Sequence, residues 1–262
     1  MVGNVAERVA LVTAGAAGIG RVIAERLLAD GICVHVSDIN RDALDEFCAA
    51  NPGGSASVAD LSRYEQVESL FGELQARHGR LDILVNNVGI AGPTARVEHI
   101  EPELWDQTIA VDLSSAFYCT RLAVPLLKRQ GGSIINMSST SGLHGSPLRS
   151  PYAAAKWALI GLTKTWSMEM GRDGIRVNAI CPGCVSGPRI ENVIQSDARQ
   201  RGMCADQIRQ VYQRQTSMRV FVDPQDVADM AAYLCSESGR HVSGQAIALD
   251  GHTETLSNWL DD

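Results

Sequence analysis

Short runs of β-branched and apolar residues alternate with longer stretches of helical periodicity along the whole chain. The runs are Val9–Val12, Cys33–Ser37, Ala56–Ala59, Ile83–Val85, Ile134–Met137, Val177–Ile180 and Ala246–Leu249. Most are nearly continuous in apolar residues, as parallel strands covered on both faces should be. The stretches between them read as helices with recognisable ends. Ile19, Val22, Ile23 and Leu27 make an apolar stripe that stops at Asp30-Gly31, a predicted C-cap. Ser62-x-x-Glu65 predicts a capping box opening a helix to about Arg77, and Asp223-Pro224 predicts an N-cap and first-turn proline for another through Leu234. Strand and helix alternate from end to end, so the expected fold is α/β, a Rossmann-like doubly wound parallel sheet. No linker, repeat or low-complexity segment divides residues 1–262, so a single domain is expected. The least regular stretch, 187–218, is polar and partly helical. It follows a strand whose carboxyl end faces the ligand side of such a sheet, so it is expected to be a substrate lid.

The strand ends carry the chemistry. The first run leads into Thr13-Ala14-Gly15-Ala16-Ala17-Gly18-Ile19-Gly20 and then a helix. Gly15, Gly18 and Gly20, with Ile19, would let backbone and a helix N-terminus approach a pyrophosphate. The second run ends at Asp38, about twenty residues past the turn, where a carboxylate bonds the adenosine ribose hydroxyls and repels a 2′-phosphate. NAD is therefore expected over NADP. Asp60-Leu61 and Asn86-Asn87-Val88-Gly89 end the next two strands on the same rim. Asp60, Leu61, Asn87 and Gly89 join the expected cofactor contacts.

Tyr152 and Lys156 stand at i and i+4 in a helical stretch, so they share one face. An ammonium beside a phenol favours the phenolate and turns tyrosine into a general base or acid near neutral pH. Ser139 follows the fifth run, where its hydroxyl can bond the same substrate oxygen. Arg149, just ahead of Tyr152, and Arg189, early in the lid, are candidates to clamp an anionic group. His144 is a further candidate for the substrate pocket.

Together, in this order and spacing, these motifs and Asn178-Ala179-Ile180-Cys181-Pro182-Gly183 make the chain resemble the classical short-chain dehydrogenase/reductase family. The resemblance extends over nearly the whole length. It implies that Tyr152 is the acid/base, that Ser139 orients the substrate oxygen, and that Lys156 holds the nicotinamide ribose and lowers the tyrosine pKa. It places Pro182, Gly183 and Val185 beside the nicotinamide. It implies a homo-oligomer, a tetramer or dimer, joined partly through the stretches Trp105–Lys128 and Tyr152–Met170. The sequence departs from the family in three places. Thr13-Ala14 stands where Thr-Gly is usual. Asp112 stands at the fourth catalytic position, usually Asn, where it either accepts from a relay water or pairs with Lys156. The closing Asp-Gly-Gly becomes Asp250-Gly251-His252 with a tail carrying Trp259 and Leu260, expected to pack on a neighbouring subunit.

The expected activity is NAD-dependent oxidation of a secondary alcohol on a small polyol, sugar-derived molecule or hydroxy acid, or the reverse. A 3-oxoacyl-type carbonyl reductase and a non-catalytic NAD-binding regulator are the alternatives. A net charge of −7 without a Lys/Arg cluster argues against nucleic acid and anionic membranes. No apolar run approaches a membrane span, and the N-terminus lacks a basic export signal, so a cytoplasmic protein is expected. Seven scattered cysteines fit reduced thiols. Cys181-x-x-Cys184 lacks a second ligand pair, so no metal is expected.

Overall fold

The computed structural model describes residues 8–256. One parallel sheet takes the strand order β3-β2-β1-β4-β5-β6-β7. Its strands are β1 (Val9–Thr13), β2 (Cys33–Asp38), β3 (Gly54–Val58), β4 (Ile83–Asn86), β5 (Gly132–Met137), β6 (Ile175–Pro182) and β7 (Ala246–Leu249). Every run read from the sequence falls on a strand, with β3 beginning earlier and stopping before Ala59, β5 beginning earlier, and β6 longer at both ends. In β1, Ala10 and Val12 join one core while Val9 and Leu11 join the other, because successive side chains leave a strand on opposite faces. Helices α1 (Gly18–Ala29), α2 (Arg41–Ala50) and α9 (Pro224–Cys235) cover the first face. Helices α3 (Tyr64–His78), α5 (Ser115–Leu127) and α6 (Ser150–Met170) cover the second. The strand order reverses between β1 and β4, and the loops leaving these two strands part there. That divergence makes the ligand crevice of a doubly wound sheet.

Helix α1 stops at Asp30 with Gly31 in the left-handed region, as expected, and Asp223 caps α9 with Asp226 bonding back to its amide. The expected Ser62–Glu65 box does not form. Asp60 Oδ1 takes both the amide and the hydroxyl of Ser62, at 3.0 and 2.6 Å, which turns that side chain back toward Asp60. Helix α3 therefore begins after Arg63, with no side-chain cap.

Helix α4 (Pro102–Ile109) continues through a π turn, Ala110–Ser114, into α5. By length and composition alone this continuous helix is apolar enough to cross a membrane, contrary to expectation. Its face bearing Cys119, Ala123, Leu126 and Leu127 belongs to the second core, which accounts for the apolarity.

The irregular stretch folds into α7 (Pro188–Arg201) and α8 (Ala205–Arg214), closed around a separate small core of Ile190, Ile194, Ala198 and Ile208. Bridges from Val185 to Val222 and from Thr216 to Thr253 tie it down. Trp259 and Leu260 lie outside the described residues.

At the β2–β3 edge the interior is polar. His35, 1% exposed, bonds Ser55 Oγ at 2.8 Å and Ser57 Oγ at 2.9 Å, and Ser57 donates to Glu73.

Candidate active site

A cavity of about 530 Å³ runs along the carboxyl ends of the strands, from the glycine turn to the α7–α8 segment. At one end lie Ala14, Gly18, Ile19 and Asp38, then Asn87 and Gly89. Next come Ser139, Tyr152, Lys156, Pro182, Gly183 and Val185, and at the far end Arg149 and Arg189.

The glycine turn is stapled to the β4 loop. Asn87 Nδ2 donates to the carbonyls of Thr13 and Ala14, both at 3.1 Å, while Thr13 Oγ1 accepts from the amides of Asn87 and Val88. A side chain at Gly20 would strike Ala14 O and Asn87 Nδ2, and one at Gly15 would strike Val12 O and Val36. Gly15 and Gly20 thus shape the turn from behind, without lining the cavity. Gly18 takes φ +55, and Ala14, in the place where the resemblance leads one to expect glycine, takes φ +47. No side chain caps α1 and no acid stands in its first turn, so its N-terminal amides suit a pyrophosphate. With Asp38 at the end of β2, these residues fit a dinucleotide. Asp60 and Leu61 do not line the cavity. Asp60 is committed to Ser62, and Leu61 is buried in the second core.

Tyr152 and Lys156 leave α6 one turn apart, with Lys156 Nζ 5.4 Å from the tyrosine ring centre. Lys156 donates to Met137 O at 3.1 Å and meets Asp112 Oδ2 at 3.5 Å. Asp112 sits in the π turn, where an extra residue per turn aims it inward, and its Oδ1 accepts from the Ile90 amide at 2.7 Å. Gly89 fits against the pair, since a Cβ there would lie 3.2 Å from Lys156 Nζ. The two open readings of Asp112 thus meet a structure in which its carboxylate lies against the lysine.

Burial pushes the Tyr152 phenol up, but the charges of Lys156 and Arg189 and a hydrogen bond with Ser139 outweigh it. The net pKa is below that of ordinary tyrosine, with Asp112 opposing the shift. Ser139 faces the cavity in extended backbone after β5, its Oγ accepting from the Ser141 amide. This pairing suits proton exchange with a hydroxyl or carbonyl oxygen.

Arg149 stacks on the tyrosine, with Cζ 4.9 Å from the ring centre, and donates through Nη2 to Ala91 O at 2.7 Å. His144 does not line the cavity. Its carbonyl receives the Trp157 indole, which fixes that loop on the outside of α6. The lid brings Ile190, Val193, Tyr212 and Gln215 to the wall, residues that carry no motif. The Ile190, Ile194, Ala198 spacing was the available signal for the helix bearing them.

Burial pushes the Cys181 thiol up to about 11 and Cys184 up to about 12, so neither is a reactive thiolate, and both are free. Among the described residues no cluster of His, Cys, Asp or Glu has the makings of a metal site.

A family model described as enoyl-(acyl carrier protein) reductase matches residues 14–252. The chain belongs to the short-chain dehydrogenase/reductase family. D-beta-hydroxybutyrate dehydrogenase of Cupriavidus necator is 37% identical over 93% of this chain and 96% of that protein. Among solved structures, an actinorhodin polyketide ketoreductase variant with NADPH is 30% identical, with a TM-score of 0.90 over 94% of this chain and 96% of that one. An NAD+-bound xylitol dehydrogenase is 25% identical, with a TM-score of 0.88 over 92% and 97% of the two chains. The short-chain dehydrogenase/reductase assignment makes this chain an oxidoreductase.

Proposed function

We propose that this oxidoreductase moves a hydride between NAD(H) and a secondary alcohol or ketone on a small hydroxylated molecule. The observation that carries the reading is one continuous cavity with Asp38 at one end and the Ser139–Tyr152–Lys156 group toward the other. The similar proteins are named for a hydroxy acid, a polyketide and a polyol, so their names leave the substrate class open.

Asp38 supports NAD over NADP. It lines the cavity, accepts from the Asn40 amide at 3.1 Å, and forms no ion pair among the described residues, so its negative charge is not offset. Gly18 and the uncapped start of α1 would hold the pyrophosphate, and Lys156 the nicotinamide ribose. The oxidised nicotinamide supplies the hydride acceptor when bound. Tyr152, as phenolate, takes the hydroxyl proton of the alcohol while the carbinol carbon gives up its hydride. Ser139 Oγ orients the same oxygen. Lys156 holds the phenolate in its charged form, and the apolar side chains of Ile190 and Val193 on the lid exclude water.

A panel of secondary alcohols assayed with each cofactor tests this. NAD is expected to be preferred over NADP at least about tenfold in kcat/KM, or about 1.4 kcal/mol, with the preference reduced in Asp38→Ala. Comparable values for both cofactors would overturn the cofactor assignment, and no turnover of any alcohol with bound NAD would overturn the reaction.

Homo-oligomerisation belongs to the same reading. Trp105, Phe117, Trp157 and Met168, on α4, α5 and α6, are exposed, and apolar surface of this kind suits an interface between copies. Seven free cysteines support a cytoplasmic setting. Sedimentation of the purified chain checks the assembly.

A further inference from the structure

We infer that the far end of the cavity is an oxyanion site, in which Arg149 and Arg189 hold a carboxylate on the alcohol being oxidised, so that the substrate is a short hydroxy acid. Both residues line the same cavity, from different elements. Arg149 stands at the start of α6, on the wall that carries the chemistry, and Arg189 is the second residue of α7, on the lid.

Neither arginine has a carboxylate partner among the described residues. The lid's own acids are spent elsewhere, since Glu191 is paired to Arg209 at 2.5 Å and Asp197 to Arg201 at 2.6 Å. Asp38 lies by the glycine turn, at the other end of the cavity. Asp112 does not line it and is occupied by Lys156. Both arginines therefore line a cavity in which, among the described residues, no carboxylate pairs with either of them, in a protein of net charge −7.

Arg149 also carries a buried donor with no partner. Nη2 is used on Ala91 O and the guanidinium plane is stacked on Tyr152, yet Nε is buried with no hydrogen-bond partner. Buried donors in folded proteins almost always find an acceptor. A carboxylate accepts from a guanidinium through two oxygens at once, which suits an arginine already held flat and rigid.

The reach of the two charges says where the anion sits. Arg189 acts on the Tyr152 phenol, and Arg149 acts on Cys184 and Tyr212. Arg149 also lies over the Tyr152 ring, so both charges stand close to the phenol that takes the proton. The carboxylate is therefore only a few bonds from the reacting carbinol. Pro147, Ile190 and Val193 on the surrounding wall offer an apolar bed for the short carbon body between the two groups.

The inference rests on the dehydrogenase reading only for turnover, so the experiment has a binding arm that needs none. The enzyme–NADH complex is titrated with isobutyrate and with isobutyramide, following NADH fluorescence. NADH fills the pyrophosphate site, which removes that alternative anion site. Isobutyrate is expected to bind at least about tenfold more tightly than the amide, or about 1.4 kcal/mol, with the ratio falling below about threefold in Arg189→Gln and in Arg149→Gln. Arg189 is exposed on the lid, so its variant keeps the test decisive if Arg149→Gln fails to fold. Equal or undetectable binding of both probes, or a ratio unchanged in both variants, overturns the inference. Propane-1-sulfonate binding tenfold more tightly than isobutyrate would overturn the hydroxy acid in favour of a sulfonate.

The turnover arm compares 3- and 4-hydroxy acids with their primary amides. Amides oxidised as well as acids would overturn this inference and leave the dehydrogenase reading standing. No oxidation of either, nor of any other secondary alcohol, with isobutyrate still held by both arginines, would overturn the dehydrogenase reading and leave the anion site standing.

Discussion

The Lys156 ammonium lies 3.5 Å from Asp112 Oδ2, and both side chains are shut away from solvent. The carboxylate opposes the phenolate of Tyr152, which the lysine favours. Asp112→Asn removes that opposing charge and keeps the shape. The tyrosine pKa then falls further, so the rising limb of alcohol oxidation moves to lower pH. Turnover at the plateau is expected to stay within about a factor of ten, under 1.4 kcal/mol of barrier. The pH profile of kcat/KM at saturating cofactor decides it. An unmoved limb with activity retained would leave Asp112 as no more than an acceptor for a water, and complete loss would give the carboxylate a role of its own.

Tyr152→Phe keeps the ring under Arg149 and removes only the hydroxyl. Turnover is expected to fall by at least about 10²–10⁴, the usual span of general acid–base catalysis, while NADH binding is unchanged. More than roughly a tenth of the wild-type rate in this variant would mean that another group moves the proton.

Ala14 sits at φ +47, a region that costs an L-residue about 1–2 kcal/mol and glycine almost nothing. Ala14→Gly relieves this, while the freer unfolded chain returns roughly 0.5–1 kcal/mol. The net expectation is a gain of about 0.5 kcal/mol, a rise of ~1–2 °C in Tm for a chain of this size. A fall in Tm would show that the alanine methyl makes a contact worth more than the strain.

His35 gives stability a pH dependence. Burial, then the charges of His78 and Arg77, pulls its pKa from 6.5 down to about 4. Between those values the unfolded chain binds a proton that the folded chain refuses. The contribution is therefore complete above pH 6.5 and is lost as the pH falls toward about 4. The integrated loss is roughly 3 kcal/mol. Urea unfolding at about pH 7 and about pH 4.5 should show a smaller drop in His35→Gln than in wild type. Equal drops would place the acid sensitivity elsewhere.

Strand positions were legible because parallel strands in the middle of such a sheet are buried on both faces, as Ala10 and Leu11 show by entering opposite cores. The catalytic face was legible because Tyr152 and Lys156 belong to one helix, whose geometry fixes them without reference to the rest of the chain. Features decided by competition between neighbours were not. Ser62 has the residue type of a cap, but its bonds to Asp60 turn its side chain back from the helix start. The π turn at Asp112 depends on what packs around it, and helical periodicity carries no sign of it. His35 reads as a polar interruption in β2, and only the serines of β3 explain its burial. The lid residues Val193 and Tyr212 reach the cavity through the angle at which α7 and α8 close, which no local pattern encodes.

The small core of Ile190, Ile194, Ala198 and Ile208 is separate from the two cores that hold the sheet. Substitutions that reshape α7 and α8 therefore do not disturb the packing beneath Tyr152 and Lys156. Apart from Arg189, whose charge acts on the Tyr152 phenol, selection can redraw what the enzyme accepts, one exposed helix face at a time, and leave the proton-transfer apparatus unaltered. Divergence among descendants of this chain should accumulate between Gly187 and Met218 faster than in the strands, and swapping that segment between relatives should carry preference with it.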